Sequence, residues 1–201
     1  GLVRHRVRVV RGPLNVGRTV RASVDPVRLQ TQKHHTATHL LHAALRSVLG
    51  THVTQAGSLV APDRLRFDFS HQAALTPEQV TRIEQMVNTW VQQDLPVGWQ
   101  EVPIAEARKA GAMMLFGEKY GDEVRMVSIG ADAPVSVELC GGTHVARTGE
   151  IGLLVVTAEE AVSAGVRRVE ARVGNAALAY LQELRATQRS LVEHLGGTAA
   201  T

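Results

Sequence analysis

Two short stretches, half a chain apart, restrict the fold more than anything else in the sequence. They are His35-Thr36-Ala37-Thr38-His39 and Cys140-Gly141-Gly142-Thr143-His144. Each holds two metal-capable side chains separated by three residues. Together they offer three imidazoles and one thiol, the number and kinds of ligand that make a tetrahedral zinc site. His35 and His39 stand where a helical pattern of apolar residues sets in, and residues four apart on a helix share a face. Gly141 and Gly142 let the backbone turn tightly between Cys140 and His144. A fold that uses both halves must bring a helix from the first quarter of the chain against a segment from the third.

Ordinary readings exist for each half alone. The chain has nine histidines, so a pair at helical spacing arises by chance at times, and His42, next on the same face, reads as a polar or packing residue. A lone cysteine is commonly a small buried hydrophobe. The two halves taken together single out a metal. A structural zinc usually sits on closely spaced ligands of one small module, whereas this one would clip distant segments. No Glu follows His35, which excludes the HExxH arrangement of zinc proteases. The HxE…PCxxC pattern of nucleobase deaminases is also missing. No residue identifies itself from sequence as the group that activates a water.

Composition narrows the classes further. With 201 residues, 44% hydrophobic and 20% charged, the chain has the length and content for a real core. Aromatics at 3% argue against an extended stacking surface for many nucleotides. One cysteine allows no internal disulfide and suits a reducing cytosol. No apolar run reaches membrane-spanning length, and the Arg-rich start lacks the apolar centre of a signal peptide. The expected setting is the cytoplasm, without a membrane partner. The net charge of +3 is uneven: eight Lys or Arg fall in residues 1–33 against the single acid Asp25. Arg4, Arg6, Arg8 and Arg11 are therefore candidate RNA contacts. From charge alone, the wet face of a strand is an equally good reading of them.

Along the chain, Val3 to Arg11 alternates Val with Arg or His, and Val16 to Val24 resumes the alternation after Gly12-Pro13. Residues 1–30 thus read as strands of a partial small β-barrel, too short to close alone, in a piece of a longer protein. Thr36 to Leu49 has helical spacing with Gly50 as its stop. His52–Ala61 and Leu65–Phe69 predict a hairpin around Pro62-Asp63. Thr76-Pro77-Glu78-Gln79 is a helix start, with Thr76 as N-cap, Pro77 at N1 and Gln79 at N3. A strand at Val97–Val102, a short helix at Ile104–Ala110 and a loop at Leu115–Gly121 follow. Further strands are expected at Glu123–Gly130, Pro134–Cys140, Leu153–Thr157 and Val166–Val173. From Ala176 the pattern is helical, with Ala177, Leu181, Leu184, Leu191 and Leu195 in a heptad-like series. The fold class expected is α+β: a mixed or antiparallel sheet with packed helices around the HxxxH…CxxxH site, preceded by the barrel segment and followed by a helical tail.

Five motifs in order, HTATHLL, GSLV…RFDFSH, LFGEKY, ELCGGTH and GVRRVEA, resemble the editing domain of alanyl-tRNA synthetase. Free-standing AlaX-type deacylases and the editing domain of threonyl-tRNA synthetase are similar in the HxxxH…CxxxH core. The resemblance runs from about Val16 to Gly174. It implies zinc ligands at His35, His39, Cys140 and His144, with Gln55 at the position associated with rejecting serine. Thr38, Gly57, Ser58, Asp68, Gly141 and Gly142 would line the pocket, and Gln55, Thr38 and Cys140 would serve the reaction. The domains implied are 1–30 (barrel segment), 31–174 (editing domain) and 175–201 (start of a helical linker). One departure is His34, where the family pattern has a polar residue such as Asn. It places a second histidine beside His35, and a one-residue ligand shift would pair His34 with Thr38, a poor metal ligand.

The implied activity is hydrolysis of tRNA(Ala) mischarged with serine or glycine, inside a synthetase whose aminoacylation and C-terminal domains are partners. Such a site answers a physical need. A pocket built for alanine cannot exclude the smaller glycine and rejects an added hydroxyl by only about 1–3 kcal/mol, so a second, hydrolytic sieve is required. Zinc would polarise the ester carbonyl, lower the pKa of a water, or bind the substrate's α-amino group. Two other readings compete: a free-standing deacylase, and an RNA-binding module with a purely structural zinc.

Overall fold

The computed structural model describes residues 4–114 and 120–195. The expected loop at Leu115–Gly121 falls largely outside these, as do Gly1–Val3 and the last six residues of the helical tail.

Two antiparallel sheets and four helices make up the described chain, which confirms the mixed α+β class. The larger sheet has the order β1-β2-β7-β6, from β1 (Gln55–Val60), β2 (Leu65–Ser70), β6 (Leu154–Ser163) and β7 (Val166–Val173). The smaller has the order β3-β4-β5, from β3 (Val97–Pro103), β4 (Glu123–Ile129) and β5 (Ser136–Leu139). The helices are α1 (Arg28–Leu49), α2 (Pro77–Gln92), α3 (Ile104–Lys109) and α4 (Gly174–His194), with a 3-10 turn at Thr148–Ile151.

The first helix joins the two layers. It packs against α2, both strands of the first hairpin, β5 and β7. Ala37, Leu40, Leu41, Ala44 and Leu45 on its apolar stripe have no exposed surface. They meet Ile83 and Val87 of α2, Leu65, Phe67 and Phe69 of β2, and Val169, Ala171 and Val173 of β7 in one core. A second, smaller core of Val102, Ala107, Val124, Met126 and Leu139 sits between α3 and the small sheet. The capping box at α2 is formed as its sequence requires: Gln79 N donates to Thr76 Oγ1 at 3.2 Å, and Thr76 N donates to Gln79 Oε1 at 2.9 Å.

Three expectations change. Of the strands expected in residues 1–30 none is formed among the described residues: residues 4–26 belong to no strand, and 4–29 are exposed throughout. Among the described residues no strand edge pairs with this segment, and Val-Arg alternation without a partner has nothing to bury. Second, α1 starts at Arg28, two turns earlier than the apolar pattern begins, because Gln30–Lys33 is polar and gives no periodic signal. Third, β6 runs on to Ser163. Its outer half is held not by apolar burial but by pairing with β7 and by ion pairs, Arg167–Glu159 at 2.6 Å and Arg168–Glu160 at 3.4 Å. The tail is helical in α4, where Leu178, Leu184 and Leu191 are about half exposed. No described helix is long and apolar enough to cross a membrane.

Candidate metal centre and its cavity

His35 and His39 lie inside α1, on the face toward the end of β5, and β5 leads directly into Cys140. The four expected ligands, His35, His39, Cys140 and His144, converge so that one donor atom from each lies within 4.8 Å of the others. Cys140 Sγ is 3.5 Å from both His35 Nε2 and His144 Nε2. Tetrahedral zinc with ordinary Zn–S and Zn–N bonds sets sulfur and nitrogen about 3.5 Å apart, so the donor set fits that ion. Gly142 makes this approach possible, since a Cβ built on it would lie 2.0 Å from His35 Cε1.

The surroundings fix the histidine tautomers. The Thr36 hydroxyl donates to Gln32 O at 3.1 Å and accepts from Val145 N at 3.2 Å. With its proton so used, it accepts from His144 Nδ1, 3.2 Å away, which leaves the His144 Nε2 lone pair toward the site. His39 Nδ1 lies 2.9 Å from Glu138 Oε2, which orients its Nε2 in the same way. Burial alone would favour a neutral Cys140 thiol, but His144, His35 and His39 outweigh it and hold the thiol far below its ordinary pKa. Burial likewise opposes charge on His39, yet Glu138 and Cys140 raise its pKa well above the ordinary value. Negative charge gathered around imidazoles is the electrostatic setting a dication needs. Arg125 Nη1 locks the loop from the other side, donating to Cys140 O at 2.8 Å and Gly142 O at 2.7 Å.

His34 does not compete with His35. It is fully buried, its Nδ1 is 2.9 Å from Gln30 O, and its Nε2 accepts from Val173 N at 3.2 Å. It ties α1 to the last residue of β7, so no one-residue shift of the ligand set occurs.

A cavity of about 130 Å³ opens onto His35, His39 and Cys140. Thr38, Gln55 and Ser58 line it with Phe67, Met113, Met114, Glu138 and His42. The Gln55 amide donates to Ser58 Oγ at 3.1 Å, and Thr38 Oγ1 donates to His34 O at 2.8 Å. A bulge between Gln55 and Gly57 accounts for the pairing of Gln55 with Ser58, since the extra residue shifts the alternation by one. Gly57 instead packs against Asp68. Asp68 lies outside the lining, in a bidentate pair with Arg168 at 2.7 and 2.9 Å. Gly142 acts through its contact with His35, and Gly141 has open space above its Cα. Arg4, Arg6, Arg8 and Arg11 are exposed on the segment before α1.

Sequence reasoning missed Glu138, while His42 is the buried polar and packing histidine expected, set against Phe67 and Glu138. Glu138 sits between the two helix histidines, with His42 Nδ1 donating to Oε1 at 3.0 Å. A carboxylate two residues before Cys140 on one strand shares its face, and that was the available signal. Met113 comes from a connection with no pattern, placed by a bridge to Glu138.

A family profile described as the threonyl and alanyl tRNA synthetase second additional domain matches residues 124–170, which include Glu138, Cys140 and His144. The alanine–tRNA ligase of Thermus thermophilus is 56% identical over 199 residues, 97% of this chain and 22% of the relative. That of Deinococcus radiodurans is 54% identical over 188 residues, 90% of this chain and 21% of the relative. The chain belongs to the alanyl-tRNA synthetase editing-domain family. A third relative, the alanine–tRNA ligase of Roseiflexus castenholzii, is 50% identical over 216 residues, 98% of this chain and 24% of the relative. The chain thus spans under a quarter of the length of these ligases. In this family member, the profile match carries the Cys140 half of the ligand set, and α1 supplies the His35 half from outside it.

Proposed function

We propose that the chain is the editing unit of an alanine–tRNA ligase and hydrolyses the ester of tRNA(Ala) mischarged with serine or glycine. The observation that carries this reading is a three-histidine, one-thiol cluster of which His35, His39 and Cys140 face a small cavity, with Gln55 and Ser58 on its wall. His35, His39, Cys140 and His144 would hold zinc, and the metal would supply Lewis-acid polarisation or an acidified water only by taking a fifth ligand or releasing one of these four. Gln55 offers a donor and an acceptor to a serine hydroxyl. Phe67, Met113 and Met114 give the cavity apolar walls that exclude bulk water from the ester. Glu138 holds the His39 ring in place and keeps its Nε2 toward the site.

The exposed arginines before α1 suit a tRNA backbone, and residues 31–174 form the editing unit proper. Residues 1–30 and the helix within 175–201, with its half-exposed leucines, serve as junctions to the remainder of a cytoplasmic synthetase. The test is deacylation of purified Ser-, Gly- and Ala-tRNA(Ala) by the zinc-loaded chain and by Cys140→Ala. Ser and Gly esters should be cleaved in preference to the Ala ester, and Cys140→Ala should lose both zinc and activity. A chain that retains zinc but cleaves none of them leaves the metal structural and refutes the reading.

A further inference from the structure

On the other side of the ligand cluster lies a second hollow, of about 320 Å³, lined by Gln32, Gly98, Trp99, Arg125, Thr143 and His144 among others. His144 is shared: its ring belongs to the metal cluster, and it also lines this hollow. Trp99, on the edge strand β3, is 60% exposed, whereas Trp90 is packed against the core. The Arg125 guanidinium lies 4.6 Å from the centre of the Trp99 ring. Arg125 gives only Nη1 to the carbonyls of Cys140 and Gly142, so its Nε and Nη2 make no hydrogen bond among the described residues. The Gln32 side-chain amide likewise has no partner among the described residues. At the rim, Arg28 Nη2 donates to Thr143 Oγ1 at 2.6 Å. Among the described residues no Asp or Glu lines the hollow.

We propose that this hollow is a stacking site for one nucleobase of a single-stranded RNA 3′ end. A solvent-exposed indole with a guanidinium stacked over one face, and no carboxylate among the described lining residues, are the features by which single-stranded bases and their phosphates are held. The Gln32 amide offers a donor and an acceptor to the edge of the stacked base. The same Arg125 grips the loop between Cys140 and His144, so a base seated on Trp99 is fixed relative to the metal cluster through one side chain. The choice of RNA as occupant rests on the editing reading; the hollow and its chemistry do not.

The test is a double-mutant cycle on the zinc-loaded 201-residue chain. The ligand is a fluorescent ribo-oligonucleotide ending in CCA, and each terminal base is replaced in turn by an abasic position. Trp99→Ala should weaken binding of the intact oligonucleotide about 5- to 100-fold, with Trp99→Phe restoring most of it and zinc content unchanged in both. At one position, removing the base should cost the wild type a similar factor and cost Trp99→Ala almost nothing further. Full additivity at every position, or an unchanged affinity in Trp99→Ala, overturns the proposal. So does an acidic peptide that binds through Trp99 where the RNA does not, since the hollow is then a protein-docking site. If the coupling is found but the chain fails to hydrolyse Ser-tRNA(Ala), the editing reading falls and the stacking site stands.

Discussion

Gly142→Ala is the sharpest probe of the candidate metal centre, because the three atoms nearest the added carbon all belong to the His35 ring. A Cβ at position 142 would lie 2.0 Å from His35 Cε1, 2.5 Å from Nδ1 and 3.3 Å from Nε2. Carbon atoms in contact rest about 3.5–4 Å apart, so the ring must retreat by about 1.5 Å or the loop must move. Metal–ligand distances tolerate only about ±0.2 Å, and the needed shift is several times larger. The φ of Gly142 is not positive, so alanine is acceptable to the backbone itself and the effect falls on His35. Disturbing even the outer partners of a metal site typically costs about 10- to 100-fold in affinity. Loss of a direct ligand should therefore cost at least 100-fold, or about 2.7 kcal/mol. Competition for zinc against a chromophoric chelator measures it, with Gly141→Ala as the control. That position has nothing within 4 Å of the added carbon, and its affinity should match the wild type. Wild-type zinc affinity in Gly142→Ala would refute His35 as a ligand or show that the loop yields freely.

Three further outcomes are expected. Gln55→His should fill the cavity beside Ser58 and lower kcat/KM for Ser-tRNA(Ala) at least about tenfold while zinc content persists; hydrogen-bond discrimination of this kind is worth that much or more. An unchanged serine rate would move the discriminator elsewhere, with Thr38 next. The Arg168 guanidinium holds the Asp68 carboxyl below its ordinary pKa, so its contribution is complete above about pH 4 and is lost as the pH falls through the folded value. Asp68→Asn should lower Tm by about 2–8 °C at neutral pH, with the two melting curves converging in acid; a constant gap would contradict the linkage. Neutralising Arg4, Arg6, Arg8 and Arg11 together should reduce the salt slope of tRNA binding by about 3–4, one counterion for each lost phosphate contact, and an unchanged slope would remove the segment from the interface.

What the sequence made legible is what local chemistry decides. Thr76, Pro77 and Gln79 announce a helix start with no help from the rest of the fold, and the hairpin announces itself by alternation. The cluster of His35, His39, Cys140 and His144 was legible because few other functions call for His and Cys at these spacings on two segments. Illegible features are those decided by partners. The bulge that turns Ser58 rather than Gly57 toward Gln55 depends on how β1 meets β2. His34 resembles a ligand in sequence, and only the position of Val173, 139 residues later, makes it a bridge between helix and sheet. The alternating N-terminal stretch has strand chemistry, but among the described residues no sheet edge pairs with it, and alternation without a partner forms no strand.

The distance in sequence between the halves of the metal centre sets an order of events during synthesis. His35 emerges from the ribosome 105 residues ahead of Cys140, a wait of roughly 5–20 s at about 5–20 residues per second. Through that interval α1 presents a bare pair of imidazoles with nothing to complete it. Two histidines alone favour copper or nickel over zinc. If the cluster takes zinc, Cys140 and His144 would complete the donor set for it. On the zinc reading, metal choice would wait until most of the chain exists, and a nascent chain stalled before Cys140 should be the form most open to the wrong ion.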